Sequence, residues 1–101
     1  MTETVALDDL TETPREVAFP GHEPKTVRLS LDAGEEVPAH RHPERQIVVH
    51  LVSGRLDVRV EGESNRLEPG DVLRFDGRKE VAPKAEEDTV ALLVLAPRAD
   101  E

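Results

Sequence analysis

The sequence contains no cysteine, no tryptophan and no tyrosine, and each absence excludes a kind of site. Without cysteine, the chain forms no disulfide, binds no metal through a thiolate and has no cysteine nucleophile. Phe19 and Phe75 are the only phenylalanines, so a pocket has little surface for stacking a nucleobase or a flavin. No apolar run approaches the roughly 20 residues that a membrane-spanning helix needs.

Positive charge is also scarce, because 13 basic residues face 22 acidic ones and give a net charge of −9. Phosphates are repelled by such a surface, which disfavours nucleic acid as a partner. The start of the chain lacks the positive and apolar regions of a signal peptide, so we expect a cytoplasmic protein. A chain of 101 residues suffices for one domain with one modest core.

The sequence does contain runs in which apolar and polar residues alternate. TVRLSL at 26–31 and RLDVRV at 55–60 have this period of two, which is typical of half-buried strands. TVALLVLAP at 89–97 is apolar on both faces and is predicted to be a central strand. Turn signals such as EPGD at 68–71 separate the runs, so the sequence predicts an all-β sandwich or barrel.

The polar start of the chain differs from the rest in composition. Residues 1–16 are rich in Thr, Glu and Asp, and they contain Pro14. We predict that they form a flexible N-terminal segment or an edge strand around 5–7. Residues 17–101 are predicted to form a single domain, since they contain no repeat and no long linker.

Two stretches of this domain resemble the motifs of the cupin superfamily. Gly34 is followed, at the spacing of the first motif, by His40 and His42, and Gly54 closes the segment. GESNRLEPGDVLRFDG at 62–77 is similar to the start of the second motif. The resemblance implies a small antiparallel jelly-roll barrel, also called a double-stranded β-helix, and a homodimer is a common state of this family.

The resemblance also implies a metal site, but an incomplete one. The family typically holds its metal with two histidines and a glutamate of the first motif and a third histidine of the second. His40 and His42 match, whereas Ile47 occupies the glutamate position and Val81 the third histidine position. The metal implied by the resemblance is a divalent Fe, Mn, Ni or Zn ion.

Two interpretations of the histidine pair, His40 and His42, stay open at this point. They are two neutral imidazoles that bind a metal, or they line a small pocket and form hydrogen bonds. Gln46 and Glu44 are the nearest candidates for a third ligand.

Strand register bears on Gln46. If residues 53–54 form a two-residue hairpin loop, His50 lies opposite Asp57 and Gln46 opposite Glu61, all outside the barrel. The predicted interior face of this strand consists of Ile47, Val49 and Leu51.

The preferred hypothesis is a single-domain cupin with a degenerate metal site that binds or senses a small molecule, and the sequence leaves enzymatic activity undecided. The predicted pocket is lined by His40, His42, Ile47, Val49, Phe75 and Val81. The alternative is a metal-dependent enzyme of the dioxygenase or isomerase type, which uses the histidine pair with Gln46 or Glu44. A dimeric interaction module without a ligand is the third hypothesis.

Overall fold

The computed structural model describes residues 2–98, and these form two antiparallel sheets. The strands are β1 (Arg15–Val17), β2 (Lys25–Leu31), β3 (Arg45–Ser53), β4 (Leu56–Val60), β5 (Arg66–Leu67), β6 (Val72–Asp76), β7 (Val81–Ala85) and β8 (Thr89–Pro97). The larger sheet has the order β1-β2-β8-β3-β6, and the smaller has the order β5-β4-β7. This architecture confirms the predicted all-β jelly-roll barrel. Within residues 2–98, no helix has the length and hydrophobicity to span a membrane.

The core lies between the two sheets and receives side chains from both. Leu51 from the larger sheet and Leu56 and Val58 from the smaller one are completely buried. Burying one such side chain contributes roughly 1.5–3 kcal/mol to the free energy of folding. The burial of apolar side chains between the two sheets is therefore the main interaction that holds them together.

The predicted central strand is confirmed as β8, which lies between β2 and β3. Its inward residues Ala91 and Leu95 are buried, whereas the outward residues Leu92 and Val94 are only half-buried. The apolar character of both faces therefore reflects a central position in the sheet rather than complete burial.

The predicted hairpin between β3 and β4 is wrong. Strand β3 pairs with β6 and β8, and β4 pairs with β5 and β7, so the two strands lie in different sheets. The pairing of β3 with β8 becomes irregular between Leu51 and Ser53, and Gly54 follows at a φ of 89°. A positive φ is easily adopted by glycine, and here it carries the chain from one sheet to the other.

The predicted parity of β3 is nevertheless confirmed, since Ile47, Val49 and Leu51 are buried. The parity follows from the alternation of side chains along any strand and does not depend on the partner strand. The cross-strand contact of His50 with Asp57 is wrong, because His50 lies opposite residues of β6 and β8. The same change of partner removes the contact of Gln46 with Glu61.

One edge of the larger sheet is formed by β1, whose three residues pair with 27–29 of β2, and the other edge is β6. An edge strand at residues 5–7 is wrong, because residues 7–9 form a single 3₁₀ turn. The position beside β2 is occupied by Arg15–Val17 instead, so only the last two residues of the polar start, Arg15 and Glu16, enter the sheet. The division of the chain at residue 16 stays a prediction.

Candidate functional site

The histidine pair lies in the segment before β3, which is held in place by β7 and by the turn between β6 and β7. His40 and Val81 exchange two backbone hydrogen bonds, of 3.1 and 2.9 Å. The amide of His42 donates to the carbonyl of Gly77 at 2.8 Å. The two histidines do not lie in a regular strand, because an isolated bridge between His40 and Val81 rather than a ladder anchors the segment. Their side chains still meet on one side of the segment.

Gly77 has a specific part in placing His42. A β-carbon at Gly77 would collide with the His42 carbonyl oxygen and with the Arg45 carbonyl oxygen. The Gly77 amide also donates to the Arg45 carbonyl at 3.0 Å. The turn between β6 and β7 thus packs closely against the histidine segment only because residue 77 has no side chain.

The two imidazoles have different surroundings: His40 forms a hydrogen bond with the backbone, and His42 is partly buried. Nδ1 of His40 lies 2.8 Å from the carbonyl oxygen of Pro38, and because a carbonyl only accepts, this nitrogen carries the proton and donates. Nε2 of a neutral His40 is then a lone-pair acceptor. Burial lowers the pKa of His42, and the charge of His40 lowers it further. His42 therefore offers a neutral ring as a hydrogen-bonding group.

An inner cavity of ≈ 40 Å³ extends from the histidine pair into the space between the sheets. All six residues predicted to line a pocket lie around it, namely His40, His42, Ile47, Val49, Phe75 and Val81. The remaining lining residues are Leu29, Leu56, Val58, Pro83, Leu93 and Leu95. Its polar groups are thus confined to the histidine end, and its walls are apolar.

A second, outer cavity of ≈ 100 Å³ adjoins the first and shares six of its lining residues, among them His40 and His42. Two cationic residues, Arg15 of β1 and Lys25 of β2, line it as well, and both are exposed. The charges of Lys25 and Arg15 contribute to the lowered pKa of His42, after burial and His40. The site therefore consists of an apolar interior, a pair of imidazoles and a cationic mouth.

Neither predicted third ligand lies with the histidine pair. Gln46 points to the outer face of the sheet, where its Oε1 accepts a hydrogen bond of 2.8 Å from Arg74. Glu44 lines a surface cleft together with Arg98. Both residues were selected for closeness in sequence, but the side-chain alternation of β3 and the loop before it turn them away from the cavity.

The donor set does not fit a tightly held metal ion. Catalytic zinc sites use three protein ligands, and non-haem iron sites use two histidines and a carboxylate. The histidine pair supplies two nitrogens, and Ile47 and Val81 lie on the cavity wall where the family has its other ligands. In residues 2–98, no group of three His, Cys, Asp or Glu side chains is arranged to hold an ion.

Sequence reasoning missed the cationic mouth and Gly77. One signal for Lys25 was available, since Lys25 has the same parity as Val27 and Leu29 in KTVRLSL and so faces inward. Arg15 and Gly77 gave no such signal, because their relation to the histidine pair arises from contacts between distant parts of the chain.

Comparison with known proteins identifies the family. A family model described as the cupin domain matches residues 27–96. The chain therefore belongs to the cupin family, as the histidine and glycine spacing indicated. A search of curated proteins found no match.

Solved structures agree with this assignment. The chain is 27% identical to KdgF from a Halomonas species, with a TM-score of 0.74 over 89% of this chain and 84% of that one. A double-stranded β-helix protein from Klebsiella pneumoniae has a TM-score of 0.84 at 18% identity, covering 100% and 95% of the two chains. The cupin domain of an XRE family transcriptional regulator from Enterobacter cloacae has a TM-score of 0.73 at 22% identity, covering 83% and 96%. The last two likenesses show the fold alone.

Proposed function

We propose that this cupin binds a small organic molecule in the two cavities beside His40 and His42. The observation that carries the proposal is the apolar inner cavity, whose polar groups are gathered at one end. Ligand sites are commonly concave and apolar, with a few polar groups that fix the orientation of the ligand. The histidine pair supplies such groups, with Nε2 of His40 free to accept a hydrogen bond.

The volumes restrict the ligand to a small molecule. One water occupies roughly 10–15 Å³ on this measure. The inner cavity of ≈ 40 Å³ then has room for about three waters, and the outer cavity of ≈ 100 Å³ for about eight. A ligand that spans both has on the order of ten non-hydrogen atoms.

A binding module explains the histidine pair better than a metal-dependent enzyme does. Two imidazole donors are one fewer than the sites of zinc and iron enzymes use. The positions that would complete a site hold Ile47 and Val81, which instead extend the apolar wall of the inner cavity.

The experiment that tests this proposal fills the inner cavity by enlarging a side chain that lines it. Val81 is 3% exposed and lines the inner cavity, whereas Val72 is 65% exposed on the outer face. Val81→Phe and Val72→Phe add the same atoms, one into the cavity and one into solvent. The protein is screened by thermal shift against small organic acids, amides and sugars, because a ligand of the folded state raises its melting temperature.

We expect at least one compound to raise the melting temperature of the unchanged protein and of Val72→Phe but not of folded Val81→Phe. If no compound does so, or if Val81→Phe responds like Val72→Phe, the proposal fails.

A metal measurement tests the competing enzyme hypothesis. The protein is purified without an affinity tag, and Fe, Mn, Ni and Zn are quantified in it and in His40→Ala and His42→Ala. We expect less than stoichiometric metal in all three. Stoichiometric metal that disappears in both variants would overturn the proposal in favour of a metal-dependent cupin.

A further inference from the structure

We propose that the ligand is a small carboxylate, whose anionic group binds Arg15 and Lys25 while its short apolar body extends past the histidine pair. This inference rests on the proposed function and adds the chemical class of the ligand. Three features of the cationic mouth support it: the direction of its side chains, their lack of ion pairs and its contrast with the rest of the chain.

Both cations start from the inward face of the larger sheet. Arg15 lies opposite Leu29, and Lys25 lies opposite Leu95. Directly opposed residues share a face, and both leucines are buried in the core. The two cations therefore continue the inward rows of β1 and β2 at the point where the barrel opens.

The two cations also have no ion-pair partner in the protein. No carboxylate of residues 2–98 lies within salt-bridge distance of Arg15 or Lys25. The acid nearest to Lys25 in sequence is Glu23, and Arg45 binds it through both guanidinium NH groups. This bond to Arg45 is the main reason that the pKa of Glu23 is lowered. An incoming anion thus meets cations that are not already neutralised by a direct pair.

The mouth stands out against the charge of the whole chain. Acidic residues outnumber basic ones by 22 to 13, yet the charged residues that line the outer cavity are both basic. A cavity that concentrates one sign of charge attracts ligands of the opposite sign. Arginine offers a planar pair of donors that matches the two oxygens of a carboxylate, and lysine adds a compact charge.

The test compares three six-carbon ligands that carry different polar groups. Hexanoate, hexanamide and hexyl phosphate are titrated into isotopically labelled protein, and dissociation constants are obtained from the shifts of amide NMR signals. The variant Arg15→Gln/Lys25→Gln removes both cations of the mouth. Its matched control is Arg66→Gln/Lys79→Gln, which removes the same two residue types from positions that line neither cavity. All four positions are exposed, so the variants should fold, and circular dichroism verifies this.

We expect hexanoate to bind more tightly than hexanamide and to lose roughly tenfold in affinity in the mouth variant, as the loss of a charged hydrogen bond implies. Hexanamide binding should be unchanged, and the control variant should bind both like the original protein. The single variant Lys25→Glu, which reverses one charge, should also weaken hexanoate binding selectively.

Other outcomes separate this inference from the proposed function. Equal binding of hexanoate and hexanamide, or hexanoate binding unaffected by the mouth variant, overturns the carboxylate assignment and leaves a binding cavity in place. Tight binding of hexyl phosphate alone also overturns it. If neither hexanoate nor hexanamide binds, the assignment fails, and the thermal-shift screen decides whether the proposed function fails too.

Discussion

The rings of His40 and His42 meet edge to face, with centroids 4.8 Å apart and planes at 87°. In this arrangement, a proton on one ring acts directly on the other. Partial burial, the charge of His40 and the two cations of the mouth all disfavour the protonated form of His42 and lower its pKa. The protonation of His42, which lines the apolar cavity, therefore depends on the charges of the mouth.

The first prediction concerns the pKa of His42. An NMR titration should place it below the ordinary value of 6.5, because burial and the charge of His40 disfavour the protonated ring. Lys25→Gln removes one positive charge and should raise this pKa, whereas Arg66→Gln should leave it unchanged. A His42 pKa at or above 6.5 in the original protein would contradict the description of the site.

The same shift has a consequence for stability, with a definite sign. Below pH 6.5, His42 becomes protonated in the unfolded chain but stays neutral in the folded protein, where its pKa is lower. The unfolded state then binds more protons, so the free energy of unfolding falls as the pH drops from 6.5 to the folded pKa. Replacing His42 with Gln should remove this part of the pH dependence in urea unfolding.

The second prediction concerns the turn that holds the histidine segment. Gly77→Ala places a methyl group against the carbonyl oxygens of His42 and Arg45, so the turn and the segment must separate. We expect the imidazole NMR signals of His42 to shift and the binding of any cavity ligand to weaken. Gly62→Ala is the control, since a β-carbon there meets nothing within 4 Å. Unchanged His42 signals in Gly77→Ala would contradict this role.

The third prediction isolates a close contact at the crossing between the sheets. Gly54 and Gly62 both have positive φ, of 89° and 79°, so alanine costs about 1 kcal/mol or more at either position. Only at Gly54 would a β-carbon also collide with Asp88 and Thr89. Urea unfolding should show that Gly54→Ala is the more destabilising by at least about 1 kcal/mol. Equal losses would mean that the backbone relieves the collision.

The fourth prediction concerns Asp57, which is 3% exposed. Its carboxylate accepts hydrogen bonds from the Ser64 hydroxyl at 2.6 Å and the Asn65 amide at 3.1 Å. Asp57→Ala leaves these donors without their acceptor and should lower the free energy of unfolding by about 1–3 kcal/mol. Asp8→Ala, on the exposed 3₁₀ turn, should change it by less than about 0.5 kcal/mol.

The contribution of Asp57 should also depend on pH. Burial raises its pKa, but the hydrogen bonds from Ser64 and Arg59 outweigh burial, so the folded value lies below the ordinary 3.8. The stability gained from Asp57 is therefore present above pH 3.8 and is lost as the pH falls through the lower folded value. A difference between the original protein and Asp57→Asn that grows on acidification would contradict this assignment.

Strand positions and the direction of side chains were largely predictable from the sequence. The interior face of β3 was predicted correctly even though its partner strand was not, because side chains alternate along any extended strand. The turn at 68–71 was also predicted, and its closing hydrogen bond runs from Asp71 N to the Glu68 carbonyl at 2.9 Å. Such features are determined within a few residues of the chain.

Strand partners were not predictable in the same way. The short interval between β3 and β4 suggested a hairpin. The chain instead crosses from one sheet to the other at Gly54, and β3 pairs with β8, which is far away in sequence. The apolar residues of β3 and β4 could face the core either in a hairpin or in two separate sheets. Only the packing of the whole core selects between these two arrangements.

The sequence by itself determined the family, the inward faces of the strands and the loss of two metal-ligand positions. Only the tertiary structure decided what surrounds the histidine pair, because Arg15, Lys25 and Gly77 reach it through pairings between distant segments. Such pairings depend on how the complete core packs, and no short stretch of sequence specifies that packing.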